Sequence, residues 1–380
     1  RNNLVVVLLF CFVAFCYAGK SMISVAGDHT GSTVGTSCQA DVSRAFKVLQ
    51  SKGRVSQGKM FLAKDWGNGK LYHESGGPNI YVRPHSTSAT ASMVLSQIKS
   101  YGSSGDVILN IASHGGVGTV MIARTTMYKR DLQNALNGVR GKAFVVIDTC
   151  HSGSMIEGLS TSGKVVGIAA CSSSQTSGCS SKHGYFSYAY WNYVERNNWG
   201  SATPYSAYRA SCSISGQTPQ IRGAMQKNSL NSWYSNGNNI PEIYSSIPDS
   251  FNATVTEAGD LVVSKVDREL VSKYMQLGRS NDAVEVEYLQ TEIAEIEQQR
   301  RNIDFTFSSI ISRVMPQGLP EEIPVVTQDD CLKDATEGVK KYCGDWEPYH
   351  YSKSDFIAKM CELLVPATSI INAAKAVCQA

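Results

Sequence analysis

The chain has 380 residues, enough for two or three domains, and its 42% hydrophobic and 18% charged content excludes a disordered or collagen-like polypeptide. Its net charge of +3 conceals an asymmetry: residues 20–250 carry 21 Lys and Arg against 11 Asp and Glu, and residues 251–380 carry 13 against 21. A basic body and an acidic tail should attract each other, whereas the basic excess is spread out with no aromatic-interleaved run, so no nucleic-acid partner is expected.

Residues 1–18 read RNNLVVVLLFCFVAFCYA: one basic residue, an apolar run, then small residues at Cys16 and Ala18. This pattern predicts a secretory signal cleaved after Ala18, because the apolar run is too short to span a bilayer comfortably. No later stretch reaches spanning length. The expected location is therefore the secretory pathway, either lysosome or vacuole or the extracellular space, with no membrane anchor.

Residues 19–250 form the first predicted domain. Buried strands are expected at 22–26, 60–63, 107–111, 143–147 and 165–170, with helices at 40–49, 91–98, 130–136 and 185–194. Strands alternating with helices predict an α/β fold, a mostly parallel sheet flanked by helices. Residues 251–281 are expected to be a linker or activation peptide. Within the polar stretch before it ends, Asn252-Ala253-Thr254 is a glycosylation sequon. Residues 282–380 read as an all-helical domain. Val286, Leu289, Ile293 and Ile296 recur at helical steps, and seven acidic residues against two basic ones fill 282–304.

Of the eleven cysteines, Cys11 and Cys16 leave with the signal. The odd remainder leaves at least one thiol unpaired. Cys331, Cys343, Cys361 and Cys378 gather at the end as a staple for the helical domain, and sequence alone does not choose among their three pairings. No Cys or His grouping has zinc spacing, so no metal or cofactor is expected.

Two strand ends carry the chemistry. Asp106-VILNIAS runs into His114-Gly115-Gly116, and Lys142-AFVVID runs into Thr149-Cys150-His151. In an open parallel sheet, ligands bind at the carboxyl ends of strands. A cysteine nucleophile needs a base, most often His, and glycines beside that His let backbone N–H groups approach an oxyanion. These residues predict Cys150 as nucleophile, His114 as proton shuttle, and the N–H groups of Gly115 and Cys150 as oxyanion hole. Spacing alone leaves a buried or disulfide-paired Cys150 equally open. His151 is a rival base, but adjacent strand residues point to opposite sides.

These segments resemble the legumain family of cysteine peptidases, the asparaginyl endopeptidases or vacuolar processing enzymes, which share a caspase-like sheet. Ile111-ASHGGVG is similar to the family's catalytic His loop and Val145-VIDTCHSGSM to its Cys motif. Ile23-SVAG, Gln39-Ala40-Asp41, Ile168-AACSSS and Phe186-SYAYW follow in order. The cysteines of the tail, with Trp346, resemble the family's C-terminal prodomain. The resemblance implies hydrolysis of protein and peptide substrates. It also implies a zymogen inhibited by its own prodomain, maturation in an acidic compartment, and pairing of Cys331 with Cys361 and of Cys343 with Cys378.

The chain departs from the pattern at the pocket for asparagine, which the family builds from an Arg, two acids and a Ser. The Arg position is Ser37, one acid survives as Asp148, and the second acid position is Gly184. The Asn that supports the family's His is Gly35, and the Asp before that His is Ser113. An asparagine preference is therefore doubtful. A catalytically impaired, peptide-binding relative is the alternative function, as is a transpeptidase or ligase in which an amine replaces water. The family's self-cleavage position falls at Asn281. The acidic tail is expected to dock by charge and to loosen as its carboxylates titrate near pH 4–5. The competing expectation is apolar docking through Leu289, Ile293 and Ile296.

Overall fold

The computed structural model describes residues 20–29, 33–52, 55–63, 70–73, 77–81, 85–86, 89–159, 164–180, 182–197, 204–214, 217–223, 264–321 and 326–379. The expected leader and the sequon at Asn252 lie outside them.

The strands are β1 (Lys20–Ala26), β2 (Val55–Leu62), β3 (Lys70–His73), β4 (Gly77–Tyr81), β5 (His85–Ser86), β6 (Asp106–Ala112), β7 (Gly115–Gly116), β8 (Thr119–Ile122), β9 (Thr125–Tyr128), β10 (Ala143–Asp148), β11 (Val165–Ala169) and β12 (Gln220–Gly223). The central sheet runs β12-β11-β10-β6-β1-β2-β5. Its strands pair in parallel except β12, which runs antiparallel to β11 at the edge. The five predicted strands are its inner members and β2. The short edge strand β12 and the β7-β8-β9 ribbon carried too little periodic signal to be read in advance.

Helices α1 (Thr33–Lys52), α2 (Ala91–Gly102), α3 (Lys129–Asn137), α4 (Gly153–Ile156), α5 (Tyr185–Arg196) and α6 (Pro204–Ile214) cover both faces. Alternation along each strand sends Met22, Phe144 and Ile168 into one core with Phe46, Phe186 and Trp191. Their neighbours Ile23, Val145 and Ile147 enter the other core with Val94, Ile98 and Leu132. The one polar residue in the middle of β6, Asn110, accepts a hydrogen bond from the Trp191 indole at 3.2 Å. Helix α2 starts where Thr90 Oγ1 accepts from the Met93 N–H at 3.2 Å, and it buries Val94 and Ile98 four residues apart.

The tail comprises α7 (Arg268–Leu277), α8 (Ala283–Val314), α9 (Asp329–Cys343), α10 (Pro348–Tyr351), α11 (Ser354–Glu362) and α12 (Ala367–Cys378). Asp282 caps α8, its carboxylate accepting from the Val284 and Glu285 N–H groups. Disulfides join Cys331 to Cys361 and Cys343 to Cys378, so α9 is stapled to α11 and α12. Closing loops of this size restricts the unfolded chain and contributes about 3 kcal/mol each. The end of the expected linker is ordered. Its Arg268–Leu277 portion is helical and runs back along α8, tied by Lys273 to Glu292 at 2.7 Å and Arg300 to Asp267 at 2.9 Å. Among the described residues no helix is long and apolar enough to cross a membrane.

The tail docks on the ribbon that follows His114. Val117 and Met121 share a buried cluster with Leu332, Trp346, Tyr351 and Ile357. Around it the Tyr128 hydroxyl donates to Glu337 at 2.5 Å and Lys129 Nζ to the Val326 carbonyl at 2.6 Å. The ion pairs at this contact run in both directions: Arg130 meets Asp330, and Asp131 meets Lys333 at 2.9 Å. Opposite overall charges therefore do not translate into a basic face against an acidic one. Exposed pairs contribute about 0–1 kcal/mol each, so the apolar cluster dominates. Leu289 and Ile293 are buried beside α7, and Leu332 is the apolar anchor on the ribbon. Leu332→Ala should cost about 2–5 kcal/mol of docking free energy, more than Arg130→Ala. Size-exclusion analysis of chains nicked at residue 281 should show the tail leaving Leu332→Ala first, with little dependence on salt.

Candidate active site

Parallel pairing puts Ala26, Ala112 and Asp148 in one row across β1, β6 and β10. Two residues past that row stand Asp28, His114 and Cys150. The chain moves from β1 outward to β2 and then crosses to β6 on the other side of β1. The reversal makes a crevice at the carboxyl ends of β1 and β6. His114 Nε2 lies 3.3 Å from Asp28 Oδ2, and both side chains are buried. Asp28 was not singled out in the sequence. Its carboxylate also lies 3.4 Å from where a Cβ on Gly35 would sit, an ordinary contact distance. Ser113 uses its hydroxyl to hold the Met121 carbonyl at 2.6 Å, which fixes the ribbon beside His114.

Cys150 is fully buried, and its thiol faces the Ser177 carbonyl at 3.7 Å. Burial pushes its pKa up, with the Lys265 charge pulling the other way. The thiol is thus held protonated in this covered state. Gly115 is pressed against the same turn: a Cβ there would come within 2.6 Å of Thr149 Oγ1 and 2.8 Å of the Cys150 carbonyl. The structure therefore brings Gly115 and Cys150 together. His151 turns away, its Nδ1 2.8 Å from the Ser173 carbonyl, in a left-handed backbone conformation with φ of 55°. That sharp turn separates the two adjacent side chains. Burial lowers the His151 pKa. The thiols of Cys171 and Cys179 are pushed up to about 12 by burial, which leaves them unreactive. Cys38, Cys150, Cys171, Cys179 and Cys212 are unpaired.

Beside Cys150 lies a buried polar pocket. Asp148 Oδ1 accepts from the Ser177 hydroxyl at 2.6 Å, and Oδ2 accepts from the Ser187 N–H and hydroxyl at 3.1 and 2.6 Å. Asp41 Oδ2 accepts from the Gly184 N–H at 2.9 Å. A Cβ at Gly184 would come within 2.5 Å of Asp148 Oδ2 and 2.9 Å of Asp41 Oδ2, so the glycine makes room for two carboxylates. Ser37 is buried and spends its hydroxyl on the Val34 carbonyl at 3.0 Å. Lys265, from the segment just before α7, fills the pocket. Its Nζ donates to Asp148 Oδ1 and to the Asp148 carbonyl, both at 2.7 Å. Burial alone would neutralise both partners. Their mutual attraction wins, with the Asp148 pKa held below the carboxylate range and that of Lys265 raised. Burial and the Asp148 charge push Asp41 well above its ordinary value. Asp41, Ser177 and Lys265 were missed in the sequence, where only a lone cation in a polar linker was visible. Asn281 is exposed in the turn between α7 and α8, away from this buried cluster. Among the described residues no group of three or more His, Cys, Asp or Glu side chains comes together to hold a metal ion.

Residues 87–227 match the profile described as the Peptidase C13 family, and residues 291–378 match that of the legumain prodomain. The chain belongs to the legumain family of C13 peptidases, with a peptidase domain followed by a prodomain. Asp28, Ser37 and Asp41 lie before the first matched span. No curated protein matches the chain. Among solved structures, the crystal structure of Caspase-1 from Spodoptera frugiperda is similar at 9% identity and a TM-score of 0.38, covering 54% of this chain and 88% of that one.

The segment bearing Lys265 also places Glu269 near Asp28 and His114, and desolvation followed by the Asp28 charge raises the Glu269 pKa. The pH dependence has two opposed parts. The depressed Asp148 contributes stability that is complete above its ordinary value of 3.8 and is lost as pH falls through the folded value. The raised Glu269 contributes stability that is complete below its ordinary value of 4.5 and is lost as pH rises through the folded one. Exchange protection of the Lys265 amide should therefore survive at pH 5 and collapse only below about 3.8. Hydrogen–deuterium exchange across pH 3–7 reads this directly. Loss of protection already at pH 5 would show that the tail carboxylates alone release the segment.

Proposed function

We propose that the chain is the zymogen of a cysteine endopeptidase in which Cys150 is the nucleophile and His114 the proton shuttle. The carrying observation is the placement of Asp28, His114 and Cys150 two residues beyond a single row of the sheet, with Gly115 packed against Cys150. Once the covering segment leaves, His114 takes the thiol proton and the sulfur attacks the carbonyl carbon of a peptide. The oxyanion forms against the N–H groups of Gly115 and Cys150. The carbon–nitrogen bond breaks as His114 passes the proton to the departing amine. Water, giving a proton to His114, then attacks the thioester, releasing the carboxylic acid and restoring the thiol.

Asp28 orients His114 and stabilises its protonated form during transfer. This offsets the departures at Gly35 and Ser113 and supports an active enzyme over a peptide-binding relative. The tail serves as intramolecular inhibitor, because its segment at 264–269 lies over the dyad and buries the thiol. The two disulfides, with the leader expected from residues 1–18, support a route through the oxidising secretory lumen.

Cys150→Ser should abolish turnover with the fold intact. His114→Ala should lower kcat about 10²–10⁴-fold, and His151→Gly, which suits the left-handed turn, should not. Asp28→Asn should lower kcat with little change in KM and shift the acid limb of the pH profile. Peptide turnover after acid treatment of the full chain measures all four. Equal losses at His114 and His151 would defeat the assignment of the base.

A further inference from the structure

Lys265 is held as a bound substrate would be held. Its N–H donates to the Ser177 carbonyl at 2.8 Å, and Ser264 forms an antiparallel bridge with Gly178. The Cys150 thiol addresses that same Ser177 carbonyl at 3.7 Å. An extended segment thus adds to the body by backbone bonds immediately beside the candidate nucleophile, as peptides dock by strand addition. From that backbone the Lys265 side chain enters the interior with none of its surface exposed, and its ammonium ends on Asp148. On the far side, Arg300 of α8 holds the Val266 carbonyl at 2.6 Å and Asp267 at 2.9 Å.

We propose that this pocket is a receptor for a basic side chain, and that the active enzyme cleaves after lysine, with arginine second. The proposal rests on the peptidase reading and names its substrate class. The wall supplies one charged carboxylate, from Asp148, with the raised carboxyl of Asp41 beside it, where Ser37 and Gly184 are neutral. Arg44, a cation close enough to influence Asp41, faces Glu195 at 3.7 Å and lies 5.0 Å from the Tyr188 ring centroid. Arg268, whose charge reaches Cys179, is on the departing segment itself. When that segment leaves, Lys265 goes with it, and the pocket keeps the buried Asp148 without its counter-charge. An asparagine, glutamine or norleucine side chain cannot replace that charge, and a buried ion stripped of its partner is strongly destabilised. A lysine from a substrate restores every contact that Lys265 made. Lys265 is then a resident pseudosubstrate that reports what the pocket takes.

Two measurements test this. The wild-type full chain, after acid treatment, is assayed on coumarin peptides differing only in the residue before the cleaved bond. Lys and Arg should exceed norleucine, Gln and Asn in kcat/KM by about a hundredfold or more. Cleavage dominated by Asn, or equal rates for Lys and norleucine, overturns the basic pocket and leaves the peptidase reading standing. The second measurement needs no turnover. Lys265→Ala in the full chain should lower the melting midpoint, and n-butylammonium, but not n-butanol, should restore it. Lys265→Arg should lose less than Lys265→Met. Absence of butylammonium rescue together with equal loss in the Arg and Met variants overturns the pocket. Failure of every peptide, with butylammonium rescue intact, overturns the peptidase reading instead.

Discussion

Asp148 carries a negative charge where water does not reach, and much of the site is arranged around that fact. The residue ends β10, two positions before Cys150, so whatever satisfies its charge is necessarily close to the candidate nucleophile. Two serine hydroxyls and one backbone N–H meet the carboxylate from the body. They stabilise it but supply no formal positive charge. Lys265 supplies that charge from a segment belonging to the tail. Removing one member of a buried ion pair costs about 3–5 kcal/mol, comparable with much of the stability of a domain. The segment is thus held over the site by a specific electrostatic contact as well as by surface burial.

The tail grips the body at two places with different physics. At Lys265 the contact is ionic and sealed. At the ribbon β7-β8-β9 it is apolar, with Leu332 and Tyr351 against Val117 and Met121. The ribbon starts at Gly115, immediately after His114, so the apolar grip lies next to the candidate site in sequence and in space. The two disulfides keep α9, α11 and α12 a single body, which lets Leu332 and Tyr351 act together. The two grips differ in their response to pH: the Lys265 contact depends on the protonation of Asp148, and the apolar contact on the ribbon is nearly indifferent to it.

At His114 and at Gly184, a side chain absent from one segment is accompanied by a carboxyl from another. Gly35 brings no side chain toward His114, and Asp28, just past the end of β1, supplies a carboxylate 3.3 Å from the imidazole. Glycine at position 184 removes another, and Asp41 from α1 takes up the adjoining N–H. In both cases the replacement lies elsewhere in the chain, on an element that converges only when the sheet is assembled.

The sequence by itself determined the alternation of strands and helices, because continuous apolar runs and helical spacing are local properties. It also determined which residues have the chemistry: a cysteine and a histidine at strand ends, with glycines beside the histidine. Resemblance to a known family supplied the cysteine pairing, which four equivalent thiols could not decide alone. Asp28 and Lys265 were legible only as isolated charges, and Asp41 only as part of a matching segment with no role attached. Their roles depend on distances between segments that are 86 to 224 residues apart in the chain: Asp28 to His114, Asp41 to Lys265. Tertiary structure decided those roles because a charge acts through its neighbours and its dielectric surroundings, and the fold, not the local sequence, sets both.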